Sequence, residues 1–217
     1  VAEYGLQADN DAQRLREALS DCLEESERVL AMLRIMMSVA EAESGTMRLE
    51  RGRCDLAESL GQVVTLYEYV AEERGIRVEL SVEEPLCAWA DETRLAQVWA
   101  NLLDNAIKYG RDGGWVKIVA TAPGEGVGDR LGEGSGAGEV EVRVADNGMG
   151  ISESEQGRIW ERLYRGDRSR SQKGLGLGLS YVKAVVEAHG GRVAVHSGLH
   201  QGSTFIVRLP RFQEKMQ

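Results

Sequence analysis

The stretch NLLDNAIKYG, residues 101–110, places Asn101 and Asn105 four positions apart and Lys108 one turn later. On a helix these three share a face, and Leu102, Leu103, Ala106 and Ile107 occupy the remainder. Packing alone gives a buried helix no use for two carboxamides and an ammonium on one stripe, so the stripe is a candidate for chemistry. A second candidate is DNGMG at 146–150, directly after an alternating strand. Asp146, with Gly148 and Gly150 letting the backbone turn tightly, can accept hydrogen bonds in a pocket that a flat ring enters. Taken by itself this motif is first of all a turn signal. A third is GLGLG at 174–178, ahead of a helix, where glycine N–H groups would form a nest for a phosphate chain. A dinucleotide fingerprint fails there because RLYRGDRSRSQK, not a hydrophobic strand, precedes the glycines. A P-loop fails because Leu179 and Ser180 follow them, and a plain flexible hinge remains the competing reading.

These groups need a scaffold, and the apolar pattern outlines one. Leu15, Leu19, Cys22, Ser26, Val29, Leu33, Met36 and Ala40 alternate steps of four and three, a heptad seam. A second row, Leu23, Leu30 and Met37, widens it to the face of a helix in a four-helix bundle, which favours self-association over a helix packed only on its own domain. Arg14, Glu17, Asp21, Glu24, Glu25 and Arg28 fill the outer face. Ahead of it VAEYGLQADND reads as the end of another helix, with Asp9, Asn10 or Asp11 as caps, so the chain opens inside a helical hairpin. Gly45 and Gly52 break the helical pattern, giving a partial hairpin domain at 1–46 and a second domain at 53–212.

From Asp55 onward the texture is mixed. Residues 56–74, 91–109 and 177–189 are predicted helices, and 76–82, 115–121, 139–146, 192–196 and 203–209 predicted strands. A polar, arginine-rich span covers 158–173. Residues 122–138 hold seven glycines, too little apolar surface to order itself, which predicts a mobile hairpin loop.

Composition sets further bounds. The 217 residues are 42% apolar, ample for a core, and no run of 18 apolar residues or signal-peptide pattern marks a membrane contact within the fragment. Lys and Arg total 26 against 35 acids, a formal charge of −9, which disfavours nucleic acid as a partner. An anionic ligand must be held by a few basic side chains and backbone N–H groups. Cys22, Cys54 and Cys87 lie far apart, with no CxxC spacing, which argues against a disulfide scaffold or zinc and for a reducing, cytoplasmic setting. His189, His196 and His200 lack metal-ligand spacing and are expected to be solvated.

The order of the fragments is more specific than any one of them: N-x-x-x-N-A-x-K, D-x-G-x-G, E-R-L-Y-R, G-L-G-L-G-L, then G-S-T-F. Over residues 11–211 the chain resembles the catalytic part of sensor histidine kinases, whose ATP fold is shared with type II topoisomerases, MutL repair proteins and heat-shock chaperones. The resemblance implies an α+β fold: a two-layer α/β sandwich of the Bergerat type preceded by a long helix of a dimerisation hairpin. It implies ATP and Mg²⁺ as ligands, with Asn101 and Asn105 as the N box, Asn105 presenting its amide oxygen to the metal, and Lys108 and Tyr109 reaching the phosphates. Asp146 would take the adenine amino group, Gly148 and Gly150 would shape the pocket, and Ser203 would assist through a water. Residues 160–165 would be the counterpart of the phenylalanine box. Gly174, Leu175, Gly176, Leu177 and Gly178 would close over the phosphates, with Arg165 or Lys173 as partners to them.

In the ATP-hydrolysing relatives a glutamate stands where Asn101 stands here; an amide cannot take a proton from water, so slow hydrolysis is expected. The implied function is a kinase that passes the γ-phosphate to a histidine and then to an aspartate of a response-regulator receiver domain. Its implied assembly is a homodimer through the hairpin. The phosphoacceptor histidine is not in these 217 residues and is expected on the order of a dozen residues upstream, in a chain that begins part-way through the hairpin. The full-length protein could be anchored in the inner membrane. Trp160 and Leu163 replace the usual phenylalanines with other apolar bulk. A nucleotide-binding scaffold without phosphotransfer and a chaperone- or topoisomerase-type ATPase are the rival functions, the latter disfavoured by Asn101 and by the heptad helix.

Overall fold

The structure, a computed structural model, describes residues 12–83, 85–122, 138–166 and 176–213. A 32-residue helix, α1 (Ala12–Glu43), leads into β1 (Gly52–Asp55), α2 (Leu56–Glu73), β2 (Arg77–Val82), β3 (Cys87–Ala90) and α3 (Glu92–Tyr109). Then follow β4 (Trp115–Thr121), β5 (Glu139–Asp146), the single turn α4 (Glu153–Gln156), α5 (Gly178–Ala188), β6 (Arg192–Gly198) and β7 (Gly202–Pro210). Five strands make one sheet in the order β2-β4-β5-β7-β6, in which β2 and β4 are parallel and all other neighbours antiparallel. β1 and β3 form a separate antiparallel pair.

Alternation decides which side of the sheet is covered. In WVKIVAT, Val116, Ile118 and Ala120 turn inward and are buried, while Trp115, Lys117 and Val119 turn outward. The same parity brings Val140, Val142 and Val144 of β5 and Phe205, Val207 and Leu209 of β7 under α2, α3 and α5 in one core. Both longer helices that carry this layer start on an aspartate: Asp55 accepts from the Ala57 N–H (3.0 Å) at α2, and Asp91 from the Arg94 N–H (3.1 Å) at α3. The two-layer α/β arrangement behind a long helix is the one expected. The pair β1–β3 and the turn α4 are additions, because GRCD and CAWA are four residues each and almost free of the β-branched residues that announce a strand. The glycine-rich loop falls at 123–137, and the helix end before Ala12 at 1–11, both outside the described residues.

Helix α1 divides into two stretches by what it touches. Toward its C-terminus Val39 enters the core, and Ile35 and Ala42 pack against it, beside α5. Along the seam Leu15, Leu19, Leu23, Val29, Leu30, Leu33 and Met37 are 42–66% exposed.

His189 corrects the expectation of a solvated histidine: it is 1% exposed at the end of α5. Its Nε2 accepts the Asp91 N–H at 2.9 Å and its Nδ1 lies 2.7 Å from the Val185 carbonyl, the pattern of a neutral ring with its proton on Nδ1. Asp91 also accepts the Glu50 N–H (3.0 Å), Arg51 donates to the Ala188 carbonyl (2.6 Å), and Arg94 donates to Ser38 of α1 (3.0 Å). One hydrogen-bonded knot, with His189 buried at its centre, therefore ties α1, the connecting segment, α3 and α5 together. A sequence with no periodic role for this histidine gave no warning of it.

Burial holds the His189 imidazole below its ordinary value of 6.5, with the Val185 hydrogen bond acting the other way. Below 6.5 the folded chain then binds fewer protons than the unfolded one, so stability is full above 6.5 and is lost as the pH falls through the lowered folded value. Thermal unfolding followed by circular dichroism from pH 7.5 downward should show the midpoint dropping below 6.5. His189→Gln should flatten that drop, and parallel curves for the two proteins would refute this origin.

Candidate nucleotide-binding site

Helix α3 is oriented by its apolar side. Leu95, Val98, Trp99, Leu102, Leu103, Ala106 and Ile107 are all buried. At about 1.5–3 kcal/mol for each large side chain, this outweighs the cost of leaving a few amides at the rim. Asn101, Asn105, Lys108 and Tyr109 are consequently half-buried along the margin of the core. The Asn101 amide nitrogen donates back to the Gln97 carbonyl at 2.7 Å, which points its oxygen at the start of α5. A Cβ on Gly178 would lie 2.7 Å from that oxygen, so a side chain there would displace the Asn101 amide. Lys108 Nζ stands 5.2 Å from the centre of the Tyr109 ring. The Asn105 side chain takes no hydrogen-bond partner among the described residues.

The DNGMG segment is a turn, and it is also built against its surroundings. Asp146 closes β5, opposite Val116 of β4 and Ser203 of β7. Its Oδ1 accepts the Gly148 N–H at 2.7 Å. The Met149 N–H donates to the Tyr109 carbonyl (3.1 Å), and the Met149 carbonyl accepts the His200 N–H (2.8 Å). A Cβ on Gly148 would overlap the Tyr109 carbonyl, and one on Gly150, at φ +68°, would overlap the Gly198 carbonyl. The Asn147 amide oxygen accepts the Trp115 N–H at 2.9 Å. Thus the end of α3, the end of β5 and the β6–β7 hairpin meet at five residues.

Ser203 lies in the same place, and Ser197, which the sequence pattern did not single out, lies with it. Ser197 Oγ accepts the Ile151 N–H (2.8 Å) and stands 3.0 Å from Ser203 Oγ. The register pairing Ser197 with Ser203 is the sole signal of it, and that pairing is not readable before the strands are aligned.

The two described ends of the 158–178 region come together. Gly176, at φ +69°, sits so that a Cβ would lie 2.5 Å from the Tyr164 carbonyl and 3.1 Å from Arg165 Cγ. Leu163 has a positive φ of 60°, an uncommon backbone for leucine, next to this contact. Leu177 is buried, and Trp160 meets Phe205 edge-on with ring centres 6.0 Å apart. Arg162 forks onto Glu43, the last residue of α1. Lys173, Gly174 and Leu175 lie outside the described residues.

Asp146 is 7% exposed, and burial raises its carboxyl above the ordinary 3.8, with hydrogen bonds from the Gly148 and Ser203 backbones acting the other way. A buried carboxylate with an open acceptor position suits an amino group on a flat heterocycle. Among the described residues no three His, Cys, Asp or Glu side chains cluster as a metal cage. The unpartnered oxygen of Asn105 on the rim suits a hard cation that shares its other ligands with phosphate oxygens and water.

Residues 90–213 match the sequence pattern of the family described as histidine kinase-, DNA gyrase B- and HSP90-like ATPase. The chain is 31% identical over 188 residues to the alginate biosynthesis sensor protein KinB of Pseudomonas aeruginosa, covering 86% of this chain and 29% of that protein. It is 33% identical over 211 residues to the sensor histidine kinase CusS of Escherichia coli, covering 96% of this chain and 41% of that protein. Full-length ShkA solved with AMPPNP superposes with a TM-score of 0.77 at 28% identity over 98% of this chain and 42% of the other. The chain thus spans well under half the length of these relatives.

Gly150→Ala tests the turn directly. A side chain at φ +68° against the Gly198 carbonyl should cost about 1–3 kcal/mol in backbone strain before any overlap is relieved. Chemical denaturation should report that loss. Gly157→Ala, where a Cβ meets nothing within 4 Å, should be near neutral; equal effects at the two positions would contradict the packing described.

Proposed function

The chain belongs to the family of histidine kinase-, DNA gyrase B- and HSP90-like ATPases, and from that premise we propose that it is the Mg·ATP-binding catalytic region of a two-component sensor histidine kinase. The carrying observation is the Tyr109 carbonyl, which joins the Asn101–Asn105–Lys108 face to the Asp146 turn through Met149. A single triphosphate nucleotide then meets both: Asp146 accepts the adenine amino hydrogen, and the rim of α3 faces the phosphates.

In this reading Asn105 supplies an amide oxygen to Mg²⁺ with Asn101 beside it, and Lys108, Tyr109, Arg165 and Lys173 neutralise and orient the phosphates. Gly176, Leu177 and Gly178 bring backbone N–H groups toward them, and Gly174 and Leu175, outside the described residues, are assigned to the same segment. Magnesium, when bound, would compensate the charge of the phosphate oxygens. Asn101 keeps its oxygen toward Gly178 and has no basic lone pair to take a proton from water, which supports retention of ATP until an imidazole attacks. A P–N bond then forms as the bond to the β-phosphate oxygen breaks and ADP leaves. The acceptor is a histidine of the dimerisation hairpin, and the phosphoryl group passes on to a response-regulator aspartate. The exposed seam along α1 supports a homodimer closed by a second copy of the hairpin. No helix among the described residues is long and apolar enough to cross a membrane, and the proposed use of ATP and of a response regulator assigns the chain to the cytoplasm.

Incubating a chain that carries the acceptor histidine with γ-labelled ATP should give an acid-labile label, and Asn105→Ala should remove it. Label that survives Asn105→Ala would contradict the role of the amide. Because an ionised Asp146 accepts more strongly than a protonated one, and its carboxyl is raised above 3.8, nucleotide affinity should fall as the pH is lowered into that raised range. Asp146→Asn should weaken binding about tenfold or more and remove the pH dependence, measured by calorimetry.

A further inference from the structure

Helix α3 ends at Tyr109, where the Gly110 N–H reaches back to the Ile107 carbonyl at 3.2 Å and the last turn is otherwise short of donors along the helix. A side chain from another helix collects its carbonyls. Arg74, the C-cap residue of α2, donates Nη1 to the carbonyls of Ile107 and Lys108, the latter at 3.1 Å, and Nη2 to the Gly110 carbonyl at 3.1 Å. Its Nε and Nη2 also donate to Asp112 Oδ1 at 2.9 and 2.6 Å. The Arg74 carbonyl accepts the Gly113 N–H at 2.9 Å, so the turn after α3 is fastened to the same residue on both sides.

The carbonyl that Arg74 skips is the one that matters to the purine side. Tyr109 accepts the Met149 N–H, and Gly148 fits against it only for lack of a side chain. With Ile107, Lys108 and Gly110 fixed by one planar guanidinium, the direction of the Tyr109 carbonyl between them is fixed as well. The cation also lies at the negative end of the helix dipole. Lysine has the charge but not the fork, and cannot span three carbonyls at once. Asp112 is largely exposed, with its side chain 80% accessible against 31% for Arg74, so solvent screens that pair and the carbonyls are the partners that decide.

We propose that Arg74 is a positioning residue for the nucleotide site, holding the end of α3 so that the Tyr109 carbonyl keeps the Asp146–Gly150 turn in register with Asn105 and Lys108. The proposal rests on the reading of that site as a nucleotide site, but half of its test needs no ligand. Amide hydrogen exchange in the unliganded 217-residue chain should show Met149 exchanging about tenfold faster in Arg74→Gln, with Val142 and Val144 in β5 unchanged. Affinity for Mg·ATP should weaken about tenfold in the same variant. Arg74→Lys should recover part of both effects, and Asp112→Asn should stay near the parent. If Arg74→Gln does not fold, Arg74→Lys carries both measurements at smaller amplitude.

Met149 protection equal to the parent's overturns the proposal, as does acceleration shared equally by Val142 and Val144, which would mark a purely structural cap. A parent chain that binds no adenine nucleotide removes the reading of the site, and the Met149 result then decides the joint separately.

Discussion

One hydrogen bond, from Met149 N–H to the Tyr109 carbonyl, is where the two halves of the site are made into one. A helix end offers carbonyls that must find donors, and a turn after a strand offers N–H groups that must find acceptors. Here each satisfies the other. The geometry is tight enough that Gly148 can carry no side chain against Tyr109, and Gly150 none against Gly198. Whatever shifts the end of α3 therefore shifts the Asp146–Gly150 turn with it. Asp146 follows, because its own carboxylate is anchored on the Gly148 N–H.

The sequence was most legible where periodicity and chemistry pulled in different directions. Asn101, Asn105 and Lys108 stood out because a stripe of polar groups interrupted an apolar helix, and they do lie along the rim of the buried face. The heptad row of α1 was legible for the same reason, and it remains uncovered in a single chain. What stayed hidden depends on which strands become neighbours. Ser197 acquires its place only when β6 pairs with β7, and Arg74 only when the end of α2 lies beside the end of α3. His189 was misjudged because a histidine at the end of a helix looks solvated until Asp91 and Val185 are brought to its two nitrogens. The strands β1 and β3 were too short to declare themselves and are held by pairing with each other.

The link between α1 and the rest of the molecule is polar as well as apolar. Val39 anchors the helix in the core, Arg94 reaches Ser38, and Glu43 meets Arg162 on the segment that leads toward Gly176. The helix that carries the exposed seam is thus in direct contact with residues flanking the glycine segment. A chain whose long helix and α/β layer share a core can pass mechanical changes between them through few residues, since packed interiors shift as units.

The central claim is that one ligand spans the Asp146 turn and the polar rim of α3. Nuclear magnetic resonance titration separates the two contacts: adenosine alone should shift the backbone amides of Gly148, Met149 and Ser203 and leave the Asn101 and Asn105 side-chain amides in place. A non-hydrolysable ATP analogue with Mg²⁺ should then move those two amides and the Gly178 backbone as well. Shifts confined to the outward face of the sheet, at Val119 and Arg143, or side-chain amides of α3 that never respond to the triphosphate, would contradict it.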